Sequence, residues 1–233
     1  MFKKLLPLLF LFAGFQANAS IIFNGYTHDT SSDIVTGGGL DWLQWDYTIG
    51  QSIDTALAGA ATSAYGGGWA LASNAQMAGL FNSFGFGAFV SDENASQHYS
   101  DAVNVTEDAA TDNELAFISM FGDTFQASGS SFCLSGECYQ ESAAWFGDDA
   151  DGDFQFNRAT VYDDYKQVSF GTPTLMRGGA WMDTDLLINS GSSSSDAFRG
   201  VALVRSTPVP EPSIIALFGL GLVGIGFARR RRS

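Results

Sequence analysis

Residues 29–84 read DTSSDIVTGGGLDWLQWDYTIGQSIDTALAGAATSAYGGGWALASNAQMAGLFNSF. Ile34-Val35 and residues 40–45 carry β-branched, aliphatic and aromatic side chains on either side of Gly37-Gly38-Gly39, which predicts two strands about a glycine turn. The pattern then changes. Residues 52–65 are Ala-rich, and Ile53, Leu57, Ala60 and Ala61 fall at helical spacing. Ser52 stands in a capping position and Asp54 in the first turn, where it complements the helix dipole. Gly66-Gly67-Gly68 ends that helix, and Trp69-Ala70-Leu71 reads as a short strand. Ser73 caps a second helix over 74–84, with Ala75, Ala78, Leu80 and Phe81 for its core face. Strands and helices interleaved in this way predict a mixed α+β domain.

The reading extends toward the C-terminus. Residues 111–125 predict a third helix, with Thr111 and Glu114 as a capping box and Leu115, Ile118 and Met120 or Phe121 as apolar positions. Residues 91–108 are polar and read as a long surface loop. Strands are expected at 142–146, 154–157, 176–182 and 201–204, with a polar loop at 190–196. Trp42, Trp45 and Trp69 are assigned to the core, because a tryptophan buries a large area. No fixed-period repeat is visible, and residues 20–207 are long enough for one domain with a sizeable core.

Residues 208–233 form a separate unit. Val209-Pro210-Glu211-Pro212 is stiff and short of backbone donors. An uncharged run follows over about 213–228, read as a single transmembrane helix, and Arg229, Arg230, Arg231 and Arg232 stop it at the cytoplasmic face. The run from Ile214 to Ala228 reaches roughly 22 Å as a helix, against the ~30 Å of a hydrocarbon core, so snorkelling arginines and local thinning must close the gap. Residues 219–224 match G-x-G-x-x-G but lack the preceding strand and following acid of a dinucleotide site. The order Pro-Glu-Pro, Gly-rich apolar run and Arg cluster closely resembles the PEP-CTERM sorting signal of Gram-negative bacteria. That resemblance implies an exosortase-type membrane transpeptidase as partner, with cleavage near Pro210-Glu211-Pro212. It also implies a precursor anchored in the inner membrane and then a cell-surface or extracellular location.

Residues 1–19 read as a secretory signal peptide: Lys3 and Lys4, an apolar run over 5–15, and Ala17-Asn18-Ala19 as an A-x-A site. Signal peptidase and the export machinery are therefore expected partners. Between the two ends, five basic residues face 24 acidic ones, a net charge of −19. Such a surface argues against nucleic acid or an anionic membrane surface as a partner.

In an exported protein the only two cysteines, Cys133 and Cys138, are expected to pair as a disulfide across a small loop. The segment GDDADGDFQFN at 147–157 suggests calcium by its carboxylate density. It does not fit an EF-hand, so a site would use Asp149, Asp151 and Asp153 irregularly; the other reading is an acidic turn between strands. Calcium is the one candidate cofactor. His28 and His98 are the only histidines, so a triad or His-based metal site would have to be built from one of them; G-x-S-x-G is absent, no catalytic set is expected, and a secreted hydrolase would use paired carboxylates.

A second resemblance covers the middle of the chain. G-L-D-W-L at 39–43, G-G-W-A-L-A at 67–72 and S-N-A-Q-M-A-G-L-F at 73–81 look like the first half of many PEP-CTERM ectodomains, which are similar to bacterial Lcl-type, C-type-lectin-like domains. Ala70 stands where that family usually has Arg. Arg177-Gly178-Gly179-Ala180-Trp181 and the later F-R-G-V-A-L-V-R at 198–205 resemble the end of such domains and of formylglycine-generating enzymes. Those enzymes use a cysteine pair on the last strand; here that strand has none, so the resemblance implies the fold and not the oxidase activity. Arg177 and Arg199 are then expected to be structural, each paired with an Asp. Together these readings lead to a non-enzymatic surface or matrix protein associated with exopolysaccharide and biofilm. The alternatives are a calcium-assisted carbohydrate-binding module and a secreted hydrolase.

Overall fold

The computed structural model describes residues 19–62, 66–100, 112–125, 140–148, 156–163, 168–169, 172–173, 178–184 and 196–207. The described residues form two larger, mainly antiparallel sheets together with helices, as expected of an α+β chain. The first sheet starts as a meander: β1 (Ser20–Phe23), β2 (Tyr26–Asp29), β3 (Ile34–Gly37) and β4 (Leu40–Leu43). It is completed by β13 (Leu203–Ser206), which inserts between β4 and β5 (Ala70–Leu71). The second sheet runs β12 (Gly200–Val201), β7 (Gln140–Phe146), β8 (Asn157–Asp163), β11 (Gly178–Asp183), β6 (Gln97–Ser100), with only β12–β7 parallel. A small pair, β9 (Val168–Ser169) and β10 (Thr172–Pro173), stands apart.

The helices follow their caps. In α1 (Ile53–Thr62) the Ser52 hydroxyl accepts from Thr55 N at 3.2 Å. In α2 (Asn74–Phe84) Ser73 and Gln76 complete a reciprocal capping box, and Gly85 closes the helix at φ +87°. The third helix is shorter than its apolar pattern predicts: α3 is Asn113–Phe121, not 111–125. Its cap is Asp112, whose carboxylate accepts from Glu114 N and Leu115 N at 3.0 Å each, so the expected Thr111 cap is replaced. It ends at Gly122 (φ +89°), against which the Asp46 carboxyl packs so closely that a Cβ could not be accommodated.

The main core lies between the sheets, where α2 and α3 supply Phe81, Phe84, Phe117 and Phe121 to a cluster with Trp42, Trp45 and Phe86. Phe117 is its hub, with ring centroids 4.3 Å from Phe121, 4.9 Å from Phe84 and 5.1 Å from Trp45. Edge-to-face and offset contacts of this kind add ~0.5–1.5 kcal/mol per pair beyond area burial. Trp69 is only partly buried, packing on a second cluster formed by Leu43, Ile53, Ala56, Ala60, Trp145, Val201 and Leu203.

Two further expectations are corrected. The strand placed at 201–204 is split: β12 belongs to one sheet and β13 to the other, with Ala202 as the crossover. Ala202 N donates to the Trp145 carbonyl, and its own carbonyl accepts from Ala72 N. Gly200 makes this passage possible, because a Cβ there would collide with the Trp45 carbonyl. The polar segment at 91–108 supplies an edge strand, β6, with alternating burial. Residues 20–29 add a hairpin turned at Asn24-Gly25. Among the described residues no helix is long and apolar enough to cross a membrane; the run at 213–228 lies outside them.

Candidate functional site

The second sheet has two unlike faces. Its inner face is small and apolar: Ala144, Ala159, Val161, Ala180 and Met182 are buried in the main core. Period-2 alternation puts Arg158, Thr160 and Tyr162 of β8 on the outer face, with Gly179, Trp181 and Asp183 of β11 and His98 of β6 beside them. The register sets Asp183 opposite Arg158, Trp181 opposite both Thr160 and His98, and Gly179 opposite Tyr162.

Gly179 shapes this face. A Cβ there would meet the Tyr162 ring and hydroxyl at 2.8 and 2.9 Å, so the missing side chain lets Tyr162 lean across β11. Its ring centroid comes to 5.0 Å from that of Trp181, and His98 stands 5.6 Å from Trp181 on the other side. Three rings thus form a row across β8, β11 and β6. Next to them, Arg158 Nη2 donates to Asp183 Oδ2 at 2.8 Å, and His98 Nε2 lies 3.4 Å from Asp183 Oδ1. The His98 side chain is 57% exposed while Arg158 and Asp183 are 20% and 17% exposed, so the ion pair is partly shielded and the histidine is open. A cross-strand opposite-charge pair contributes ~0.2–1 kcal/mol, enough to hold orientation without dominating stability. Toward β7 the same face closes: Trp145 is buried in the second cluster, with the Arg199 guanidinium 5.2 Å above its ring.

Sequence reasoning named Trp181 only inside a resemblance motif and left Arg158, Tyr162 and Asp183 unassigned. The signal was present as alternation at 97–100 and 157–163, but which strands are neighbours is not written in either segment.

The other sequence-named residues fall as follows. Val209, Pro210, Glu211, Pro212, Arg229 to Arg232, Cys133, Cys138, Asp149, Asp151, Asp153 and Arg177 lie outside the described residues. Flanking the acidic segment, Asp148 Oδ1 accepts from Asn74 N at 3.0 Å at the start of α2, and Asn157 Nδ2 donates to Asn74 Oδ1 at 3.0 Å. Both ends of that segment are therefore pinned to one helix terminus, where a carboxylate is favoured. Among the described residues no three His, Cys, Asp or Glu side chains are grouped to hold a metal. Arg199 is paired with Asp196 at 2.7 Å, as its structural reading requires. His28 is buried, its Nε2 donating to the Ser32 carbonyl at 2.9 Å.

Asp46 and Asp123 come close to a carboxylate pair. Burial pushes the Asp46 carboxyl above its ordinary value, and Asp33 and Asp123 nearby add to the effect. Burial likewise raises Asp123, opposed by backbone donors at Glu141 and Phe125. Those donors tie Asp123 to β7 and to the turn at Phe125 that follows α3, and Asp46 packs on Gly122, so the two carboxylates serve the fold.

Residues 208–232 match the family model described as the PEP-CTERM protein-sorting motif. The chain carries an exosortase sorting signal. It marks an exported protein that is membrane-anchored during sorting and then delivered to the cell surface. No curated protein and no solved structure matches the chain.

Proposed function

We propose that this PEP-CTERM protein is a non-enzymatic surface or matrix protein that binds extracellular polysaccharide through the outer face of its second sheet. The observation that carries the reading is the Tyr162–Trp181–His98 row beside the Arg158–Asp183 pair. Aromatic rings offer flat apolar surface with polar tips, suited to the C–H faces of a pyranose. A guanidinium and a carboxylate held by one ion pair supply donors and acceptors for neighbouring hydroxyls. Trp, Tyr and Arg are also the side chains that concentrate binding energy. The sorting signal supports the setting, because an exosortase substrate reaches the compartment where exopolysaccharide is. The C-type-lectin-like resemblance belongs to this reading and agrees with the mixed α+β architecture.

Affinity electrophoresis of the processed protein through gels containing a neutral glucan, a galactan or an acidic bacterial exopolysaccharide tests it. At least one polymer should retard the wild type, and Trp181→Ala should remove the retardation. Equal mobility of wild type and W181A in every gel would end the reading and leave only the sorting role. Running the same gels with calcium and with chelator separates the calcium-assisted version: it requires retardation to disappear with chelator.

A further inference from the structure

The first sheet has two chemically different ends. At one end lie the turns Asn24-Gly25 and Gly38-Gly39, the glycines at 66–68 that lead into β5, and Thr207 at the exit of β13. None of these is acidic, although the segment 20–207 carries a net charge of −19. At the start of β4 beside this end, Asp41 is 5% exposed and bound by Arg205 Nε at 3.1 Å. A Cβ built on Gly25, Gly39, Gly67 or Gly68 meets nothing within 4 Å, so this end is uncovered. The opposite end carries Asp29 and Asp33 in the β2–β3 connection and Asp46 after β4.

The chain's exit is fixed at the first end. β13 lies inside the sheet, Ser206 is in register with Leu40, and Thr207 N donates to the Gly39 carbonyl at 3.2 Å. The sorting motif begins at the next residue. From Thr207 to Ile214, where the apolar run starts, seven residue steps reach on the order of 25 Å fully extended. That is less than the ~40 Å diameter of a domain this size, so the exit end stays near the bilayer. Anionic lipid repels carboxylates by ~1 kcal/mol per charge near the surface, fading over about 8–10 Å.

From this geometry we infer that, in the anchored precursor, the glycine-turn end of the first sheet rests on the lipid headgroup surface. The inference rests on the anchor reading of 213–228. Among the described residues this end brings no acidic side chain of its turns to an anionic surface, whereas the opposite end would bring the partly exposed Asp29 and Asp33. Ile22, 71% exposed on the edge strand one register step from this end, adds an apolar contact. Removal of the tail releases the domain, since its own charge then repels it.

The full-length precursor is reconstituted in phosphatidylcholine vesicles containing phosphatidylglycerol and a headgroup-attached quencher. A fluorophore is placed through Gly67→Cys at the exit end, or Ser31→Cys at the other, with Cys133→Ser and Cys138→Ser. Quenching several-fold stronger at residue 67 than at 31 is expected, with Gly67→Asp in the partner variant slowing removal of the tail by the processing enzyme. Equal quenching at both positions overturns the orientation while leaving the anchor. A precursor that does not float with the vesicles overturns both. Absent quenching at residue 67 together with slowed processing of Gly67→Asp overturns the lipid contact and assigns that end to the enzyme.

Discussion

The two faces of the second sheet use the same strands for opposite purposes. Inward, Ala144, Ala159, Ala180 and Val161 are small enough for α3 to approach closely. Outward, Arg158, Tyr162, Trp181 and Asp183 are large, partly wet and mutually oriented. Trp42 and Trp181 make the contrast concrete: one is 1% exposed in the core, the other stands half-buried between Tyr162 and His98. Residue type alone does not separate a core tryptophan from a surface platform; the strand face it occupies does.

The sharpest way to break this contrast is to force the inside. Gly200→Val should abolish cooperative folding, because its side chain has no room beside the Trp45 carbonyl and Thr48. Loss of the sigmoidal thermal transition by circular dichroism is the expected result. Phe117→Ala should leave a folded protein destabilised by ~3–5 kcal/mol, read as a lowered denaturation midpoint. On the outer face, Trp181→Ala should remove polysaccharide retardation while shifting the midpoint far less than Phe117→Ala does, since Trp181 is outside the core. A large loss of stability from W181A would mean that the two faces are not functionally distinct.

The smallest effect concerns charge. Burial raises the Asp46 carboxyl, so the folded state holds its proton more tightly than the unfolded chain. Ionisation at neutral pH therefore costs stability, and that cost fades as pH falls through the raised value toward the ordinary carboxylate range. Asp46→Asn should raise the melting temperature at pH 7, with the gain shrinking on acidification. A gain that grew toward low pH would reverse the assignment.

The sequence by itself determined what rests on local chemistry. Ser52 and Ser73 caps, the Gly85 stop and the turn at Gly38-Gly39 are short-range hydrogen bonds and backbone preferences, readable within a few residues. The sorting signal is likewise a linear pattern of rigid, apolar and cationic blocks. Tertiary structure alone decided the rest. Gln97-His98-Tyr99-Ser100 became a strand because β11 offered it an edge to pair with. Residues 200–206 divided between two sheets at Ala202. The proposed binding face exists only because β6, β8 and β11, far apart in the chain, lie side by side: long-range pairing depends on which partners are free to bury a common face, and no single segment encodes that.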